Sequence, residues 1–158
     1  MNLFPTREFK FKLNSSQKET IERLERRTEY SKYLTSNWTK KSFRGQISDN
    51  EFKIISSTVG KGAFCVLTGE INTELGSVTI TINKAFKIML SILLIFPIIA
   101  MCLIVTFNLE KFEPFMILSV IAQILTIRFI GIRFFFKKFS KQSLHKLRDA
   151  LDVEFIEN

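Results

Sequence analysis

Two arginines inside an otherwise apolar run are the residues whose chemistry most needs an explanation. Arg128 and Arg133 stand among isoleucines and phenylalanines in the stretch ILTIRFIGIRFFFKK, residues 124–138. A guanidinium stays charged at physiological pH and offers several N–H groups to carboxylate or phosphate oxygens. In hydrocarbon such a charge is costly unless the side chain reaches water, a phosphate or another partner. The elements around the two arginines therefore decide whether they anchor the chain, bind a ligand or line a path.

Two long apolar runs dominate the second half of the chain. Residues 88–107 contain no charged side chain, and residues 115–136 contain only the two arginines as charges. At about 1.5 Å rise per residue, each run is long enough to cross a hydrocarbon core of about 30 Å as a helix. Two buried helices of a soluble protein would leave too little of the 158 residues to cover them. The sequence therefore predicts a two-pass integral membrane protein with a helical hairpin over residues 88–136.

Basic residues flank the ends of the two runs that adjoin the rest of the chain. Lys84 and Lys87 precede the first run and Lys137 and Lys138 follow the second, whereas residues 108–114 hold one lysine and two glutamates, a net charge of −1. The positive-inside rule therefore predicts that both termini lie in the cytoplasm. The four lysines are expected to contact anionic lipid headgroups. Neither run is expected to be a cleaved signal peptide, because the first begins only at residue 88.

This orientation accounts for the two arginines as membrane anchors. Arg128 lies 13 residues into the second run, about 20 Å deep, and its side chain can extend toward the cytoplasmic headgroup level that Arg133 already reaches. Two further roles stay open for Arg128: it could bind a lipid phosphate, or line a polar path with Gln123 in an oligomer. Gln123 is predicted to join helices through its amide, and Pro97 is predicted to kink the first helix.

Residues 1–87 are predicted to form a small cytoplasmic β-rich domain of the α+β class. Strict alternation of apolar and polar residues at 8–13 indicates a half-buried strand, and Ser16 with Glu19 forms a capping box that predicts a helix start. Turn residues separate four further strand candidates, at 42–48, 51–57, 63–72 and 77–83. The expected architecture is a small antiparallel sheet, or a partly closed barrel, with one helix.

Residues 137–158 are predicted to form a cytoplasmic amphipathic tail. Helical spacing places Leu144, Leu147, Leu151 and Phe155 on one face that would dock on the chain's own domain. In the alternative interpretation, residues 153–156 pair as a short strand. The candidate strand at 63–72 is apolar on both faces, so we expect it to be central in the sheet or covered on its second side by this tail.

The first 87 residues are strongly basic, with 15 Lys and Arg against 9 Asp and Glu, a net charge of +6. Apposition to anionic lipid headgroups explains such a charge, at roughly 1 kcal/mol for each basic residue near the surface. Nucleic acid is the other class of partner for a basic face, here Lys10, Lys12, Arg44 and Lys53. No stacking platform or recognition motif accompanies these residues, so nucleic acid is not expected to be a partner.

A cluster of aromatic residues precedes two lysines in the same domain. Tyr30, Tyr33 and Trp38 are followed by Lys40 and Lys41. Such a pattern is typical of an aromatic anchor at a membrane interface, and ordinary core packing of the three rings is an equal alternative.

The residues that most often carry catalysis or bind metals are sparse and scattered. His145 is the one histidine, and Cys65 and Cys102 are expected in a cytoplasmic strand and in the first apolar run, where they cannot meet. The stretch VGKG at 59–62 lacks the upstream glycine and the following Ser or Thr of a phosphate loop, and it is predicted to be a hairpin turn. We therefore expect no catalytic residues, no metal site, no cofactor and no enzymatic activity.

Several short motifs carry a resemblance to a known group of proteins. Phe43-Arg44-Gly45-Gln46-Ile47, Asn50-Glu51-Phe52-Lys53-Ile54, Gly69-Glu70-Ile71 and Thr79-Ile80-Thr81-Ile82 resemble a pattern in small bacterial membrane proteins, over roughly residues 40–107. Those proteins have a β-rich cytoplasmic domain followed by two spans, so the resemblance implies a protein of the bacterial inner membrane. The set of parts is also similar to two-span, β-rich membrane effectors of nucleotide-signalled bacterial defence, in which the spans come first.

Two functional hypotheses arise from these patterns. The leading one is a membrane-anchored sensor or adaptor module that binds an unknown small ligand or protein near the inner leaflet. The alternative is an effector whose spans assemble as a homo-oligomer and disrupt the membrane, with the β-rich domain as its trigger. Gln123, Arg128 and Pro97 motivate the alternative.

Overall fold

The computed structural model describes residues 4–107, 113 and 115–156. The described chain divides into two compact units. The first, here called the sheet domain, contains the residues before Lys84 together with those after Phe135. The second, the apolar helix pair, contains residues 84–135. The predicted boundaries were 88 and 136, so the division falls close to the two changes from polar to apolar sequence.

Seven strands of the described chain form one open sheet. Their order is β2-β3-β4-β5-β6-β1-β7, and every neighbouring pair is antiparallel except β2 and β3, which are parallel. The two end strands each have one neighbour, so the sheet is not a barrel, and the partly closed barrel considered from sequence is wrong. The strands are β1 (Arg7–Leu13), β2 (Thr28–Tyr30), β3 (Phe43–Ser48), β4 (Glu51–Ser56), β5 (Cys65–Ile71), β6 (Leu75–Ile82) and β7 (Val153–Ile156).

The α+β class and the predicted strands are confirmed, because alternation and turn chemistry were strong signals in this half of the chain. The β3–β4 hairpin turns at Asp49-Asn50, where Asp49 adopts a left-handed conformation with φ of +47° that short polar residues tolerate. The β4–β5 connection includes a short 3₁₀ turn, Gly62–Phe64, which replaces the first two residues of the strand predicted at 63.

The helix α1 (Gln17–Arg27) begins where the capping box predicts. The Ser16 hydroxyl accepts a hydrogen bond from the Glu19 N–H, but the Glu19 carboxylate binds Arg23 at 2.8 Å, in a salt bridge within the helix. Glu22 and Arg26, four residues apart on the same helix, form a second ion pair at 3.6 Å. Leu24 is fully buried, so one apolar stripe attaches the helix to the sheet.

The core lies on one face of the sheet, here called the inner face. Period-two alternation puts Phe11, Ile54, Leu67 and Ile80 on it, and all four are fully buried. β5 is the fourth of the seven strands, so its predicted central position is confirmed. Phe11 lies over Gly76 on β6, where an added Cβ would overlap the ring, and this close approach explains the glycine.

The helix α4 (Phe135–Leu151) packs on the same inner face as α1. Leu147, Ala150 and Leu151 are buried, and the ring of Phe139 meets that of Phe64 edge to face at 5.4 Å between centroids. The helix ends at Leu151, so the prediction that Phe155 continues its apolar stripe is wrong. The alternative is confirmed: β7 pairs with β1, and Phe155 packs edge-on against Phe9 and Phe11.

Asp152 makes the sharp turn between α4 and β7. Its φ is +55°, its N–H donates to the Arg148 carbonyl at 2.8 Å, and its carboxylate accepts from Arg23 of α1 at 3.1 Å. The left-handed residue ends the helix before Phe155, which is the reason that the helical stripe stops short.

The opposite, outer face of the sheet is covered in part, near Arg44 and Asn83, by residues 31–42 rather than by the C-terminal tail. Arg44 and Asn83, both on the outer side, donate to the consecutive carbonyls of Thr35 and Leu34 at 3.4 and 3.0 Å. Between those strands Ile55 and Val66 are buried, as their place under residues 31–42 requires. Tyr30, Tyr33 and Trp38 remain 77%, 70% and 88% exposed, so core packing of these three rings is wrong.

The apolar helix pair contains α2 (Lys84–Phe107) and α3 (Phe115–Thr126), which pack on each other, and a π-helical segment (Ile127–Phe134) that leads into α4. Two helices are long and apolar enough to cross a membrane by length and composition: α2, and the continuous helix that begins with α3 at Phe115 and runs through the π-helical segment and α4 to Leu151. In the most apolar 18-residue stretch of each helix, only 11% of the first and 6% of the second is buried. Large apolar side chains therefore face outward around the pair.

Candidate membrane-boundary site

The π-helical segment brings Arg128 and Arg133 to one side of the helix. In an α-helix, residues five apart are about 140° apart around the axis. In a π-helix the backbone bonds residues five apart, so such residues lie one above the other. Ile127–Phe134 is π-helical, and both arginines lie within it. Two guanidinium groups on one face form a better site for phosphate oxygens than two on different faces.

This alignment was not predicted from the sequence. The only available signal was local: Gly131 among the β-branched residues Ile127, Ile130 and Ile132, all of which have lower α-helical propensity than leucine or alanine. Such a composition weakens the α-helix but does not by itself predict the wider π-helical turn.

The environments of the two arginines differ. Arg133 is exposed and its guanidinium carbon lies 5.2 Å from the ring centre of Phe129, in cation–π geometry. Arg128 is half-buried. Among the described residues, none of the ion pairs involves either arginine. Their charges are therefore available to an external anion such as a lipid phosphate.

The predicted flanking lysines lie at the ends of the helices that join the sheet domain. Lys84 is the first residue of α2 and Lys87 follows one turn later, with its carbonyl accepting a bond from Ser91. Lys137 and Lys138 are exposed in the first turn of α4, shortly after Arg133. Four lysines thus flank the two apolar stretches at the ends that join the sheet domain along the chain, and the two arginines lie inside the second stretch.

The other two predicted membrane residues lie within the helices. Gln123 is exposed on α3, an amide on an apolar surface. Pro97 is inside α2, which runs through it from Lys84 to Phe107. Proline has no N–H, so it cannot donate to the Leu93 carbonyl. The predicted kink and the predicted interhelical bond both stay predictions.

The four residues of the predicted basic face do share one face, the outer face of the sheet. Strand register and alternation place Lys10, Lys12, Arg44 and Lys53 there together. Glu154 lies directly opposite Lys12 across the β1–β7 ladder. It is one of four exposed glutamates on the same face: Glu8, Glu51, Glu70 and Glu154. The positive charge of this face is therefore matched, and it does not form the continuous basic stripe that nucleic acid needs.

A lysine outside the set of predicted site residues docks α4 onto the sheet. The Lys146 amine donates to the Thr58 hydroxyl at 2.6 Å and to the Ser56 hydroxyl at 3.0 Å. A lysine beside a serine can activate that serine as a nucleophile. Ser56 is only 4% exposed, so this arrangement fits attachment of the helix better than catalysis. The partners are 90 residues apart in sequence, a separation that only the fold bridges.

Two depressions in the sheet domain lie beside the C-terminal half of α1. One, of about 200 Å³, is lined by Glu25, Thr28, Tyr30, Gly45 and Ile47. The Thr28 hydroxyl is buried and has no hydrogen-bond partner among the described residues. The other, of about 360 Å³, is lined by Arg23, Arg26 and Arg27 with Asp149 and Asp152. Arg23 and Arg26 already bind carboxylates, so the second depression has little free positive charge.

The remaining reactive side chains are separate from one another. Burial raises the pKa of the Cys65 thiol to about 12, which keeps it protonated and unreactive. His145 is exposed on α4, and Cys102 is exposed on α2. Within residues 4–107, 113 and 115–156, no group of three or more His, Cys, Asp or Glu could hold a metal ion.

Comparison with protein-family models, with curated proteins and with solved structures finds no match to this chain. The resemblance to small bacterial membrane proteins therefore stays a prediction, and the function is argued from the chain's own geometry.

Proposed function

We propose that this protein is a membrane-anchored, non-enzymatic sensor or adaptor whose sheet domain faces the cytoplasm. It binds a small ligand or a protein partner there and transmits the bound state to two membrane helices. The observation that carries the proposal is the way both apolar stretches join one sheet domain. Only Asn83 separates β6 from α2, and the helix that begins at Phe115 continues to Leu151, within the sheet domain.

The absence of a linker along the chain supports the transmission step. A strand that ends one residue before a span passes any shift of the sheet directly to that span. The Lys146 bonds to Ser56 and Thr58 attach the second helix to the same sheet, near the end of β4. A ligand that alters the sheet would thus act on both helices.

The cavity beside Thr28 supports the binding step. It is small, it lies between the end of α1 and the β2–β3 edge, and it adjoins a buried hydroxyl that lacks a partner among the described residues. An unpaired buried polar group is costly, and a ligand that supplies an acceptor or donor relieves this cost. Nucleotides, amino acids and sugars are first screened for a compound that raises the melting temperature of the protein. Thr28→Val should abolish the rise that such a compound causes. Thr68→Val, a matched change at an exposed site on β5, should not.

The orientation is tested by labelling single cysteines from outside intact cells. In a chain carrying Cys65→Ala and Cys102→Ala, Lys61→Cys adds a thiol at an exposed turn of the sheet domain, and Glu113→Cys adds one between the spans. We expect a membrane-impermeant reagent to label position 113 and not position 61 until the cells are opened. Labelling of position 61 in intact cells would overturn the proposal.

A second candidate function follows from the exposed amide of Gln123 on α3. Polar side chains on membrane helices promote association through interhelical hydrogen bonds. An oligomer built in this way could act as a membrane-disrupting effector triggered through the sheet domain. Induced expression should then collapse the membrane potential, and Gln123→Leu or Arg128→Leu should prevent the collapse. Ser119→Ala is the control, because that hydroxyl already bonds the Met116 carbonyl of its own helix.

A further inference from the structure

The exposed rings of Tyr30, Tyr33 and Trp38 belong to a segment that the sheet holds in place. This aromatic segment comprises residues 30–41. The Ser31 N–H donates to the Gly45 carbonyl at 2.9 Å, and Ser57 donates through its hydroxyl to the Lys41 carbonyl. Together with the bonds to the Leu34 and Thr35 carbonyls, these contacts fix the backbone at both ends and in the middle. The rings are exposed although their backbone is attached.

Strand register shows at which end of the sheet the aromatic segment lies. Phe43 pairs with Ser56, and Cys65 pairs with Ile82, so these residues mark one common end. The segment runs from beside Gly45 to Phe43, the first residue of β3, and therefore lies at that end. Asn83, which binds the Leu34 carbonyl, is followed directly by the first residue of α2. The aromatic segment thus lies where the chain passes into the first apolar helix.

The charge of the aromatic segment is of one sign. Residues 30–41 contain Lys32, Lys40 and Lys41 and no carboxylate. Lys41 binds the Thr28 carbonyl at 2.9 Å, whereas Lys32 and Lys40 have exposed side chains. This composition contrasts with the outer face farther along the strands, where four basic residues are matched by four glutamates.

We infer that the aromatic segment docks on the anionic phospholipid surface beside α2. Trp38 and Tyr33 lie at headgroup level, where amphipathic rings are most stable, and Lys32 and Lys40 face lipid phosphates. The inference rests on the proposed membrane insertion of the apolar helices. It adds a third attachment between the sheet domain and the bilayer, and that attachment restricts how the domain tilts on its spans.

Trp38 is the single tryptophan of the chain, so its fluorescence reports on this docking without added labels. The full chain is reconstituted into nanodiscs that contain anionic phospholipid, with brominated lipid as a quencher in the membrane and iodide as a quencher in water. We expect bromolipids to quench Trp38 and iodide to have little effect. Replacing the anionic lipid by phosphatidylcholine, or combining Lys32→Gln with Lys40→Gln, should reduce the bromolipid quenching.

A relocated tryptophan provides the matched control. Leu75 is 48% exposed on the same outer face, at the start of β6. It lies seven residues before Ile82, a distance of about 23 Å along the strand. In the variant Trp38→Phe with Leu75→Trp, iodide should quench the fluorescence and bromolipids should not. Equal bromolipid quenching at both positions would contradict docking through the aromatic segment, because it would mean that the whole face lies on the membrane.

The nanodisc experiment distinguishes failure of the docking from failure of the membrane insertion. If the chain inserts into nanodiscs but iodide quenches Trp38 fully and bromolipids do not, the docking is wrong and the proposed insertion stands. If the chain stays soluble without detergent and does not enter nanodiscs, the proposed insertion is wrong and the docking fails with it.

Discussion

Leucine, isoleucine and phenylalanine occupy opposite positions in the two units of this protein. In the sheet domain they fill a core in which Phe11, Phe43, Ile54 and Leu67 are fully buried. In the apolar helix pair the same residue types face outward, and Phe96 and Phe107 are mostly exposed. Water around the sheet domain explains the first arrangement through the hydrophobic effect. The second arrangement leaves large apolar side chains exposed, which fits the proposed insertion of these helices into a bilayer.

The same substitution should therefore have different consequences in the two units. Phe43→Ala empties part of the core and should lower the free energy of unfolding by about 3–5 kcal/mol. Phe96→Ala on the exposed surface of α2 should change it by less than about 1 kcal/mol. Unfolding in detergent can be followed through the reactivity of Cys65, with Cys102→Ala in the background. Similar losses for both variants would mean that Phe96 packs against protein rather than lipid.

A charge placed at two depths of α2 sharpens the comparison. Ile95→Arg puts a guanidinium near the middle of the span, where insertion should become less favourable by about 2.5–3.5 kcal/mol. Ile88→Arg, beside Lys87 at the end of the span, should have little effect because the side chain can reach the headgroups. The measurement is the fraction of expressed protein that resists carbonate extraction from membranes. Equal extraction of both variants would argue against a bilayer around α2.

A smaller effect is expected where the second helix meets the sheet. Lys146→Met removes two hydrogen bonds between α4 and the sheet but preserves most of the side-chain volume, and the Ser56 and Thr58 hydroxyls can still bond each other. The free energy of unfolding should fall by about 1–2 kcal/mol. Lys141→Met, an exposed position on the same helix, should leave it unchanged within about 0.5 kcal/mol. No difference between the two variants would mean that the docking bonds contribute nothing.

The smallest effect near neutral pH concerns Cys65. Its pKa of about 12 in the folded chain lies above the ordinary value of 9.0, so the folded state holds this proton more tightly than the unfolded state. The free energy of unfolding should be unaffected below about pH 9 and should fall as the pH rises toward 12. Cys65→Ala should remove this alkaline slope. At pH 9 the folded thiol should also react with iodoacetamide about a hundredfold or more slowly than an exposed cysteine.

Much of the sheet domain was predictable because its signals are local. Alternation and turn residues located β1, β3, β4, β5 and β6 to within two residues, and the Ser16 cap located the start of α1, whereas the three-residue strand β2 was not predicted. The apolar runs were predictable for the same reason, since twenty residues without charge need no partner to be recognised. The end of α4 was not predictable: Leu144 through Phe155 fit one helical face, but the left-handed turn at Asp152 and pairing with β1 made the last residues a strand.

The residues of the candidate site were predictable from the sequence, but their arrangement in space was not. Charge and hydropathy identified Arg128, Arg133 and the flanking lysines, but the alignment of the two arginines depends on a π-helical turn whose local signal is weak. Charge patterning likewise identified four basic residues, which strand register places on one face. It could not show the matching glutamates, because they come from strands that are distant in sequence and adjacent only in the sheet.

The sequence by itself determined the α+β character of the sheet domain, the two apolar helices and the cationic ends of those helices. Each of these depends on the spacing or composition of consecutive residues. Only the tertiary structure decided that the sheet stays open, that residues 31–42 cover part of its outer face, and that Trp38 is exposed at the end of the sheet that leads into α2. Those features depend on strand order and on hydrogen bonds between distant residues, such as Asn83 and Leu34, which are 49 positions apart, and no local pattern specifies them.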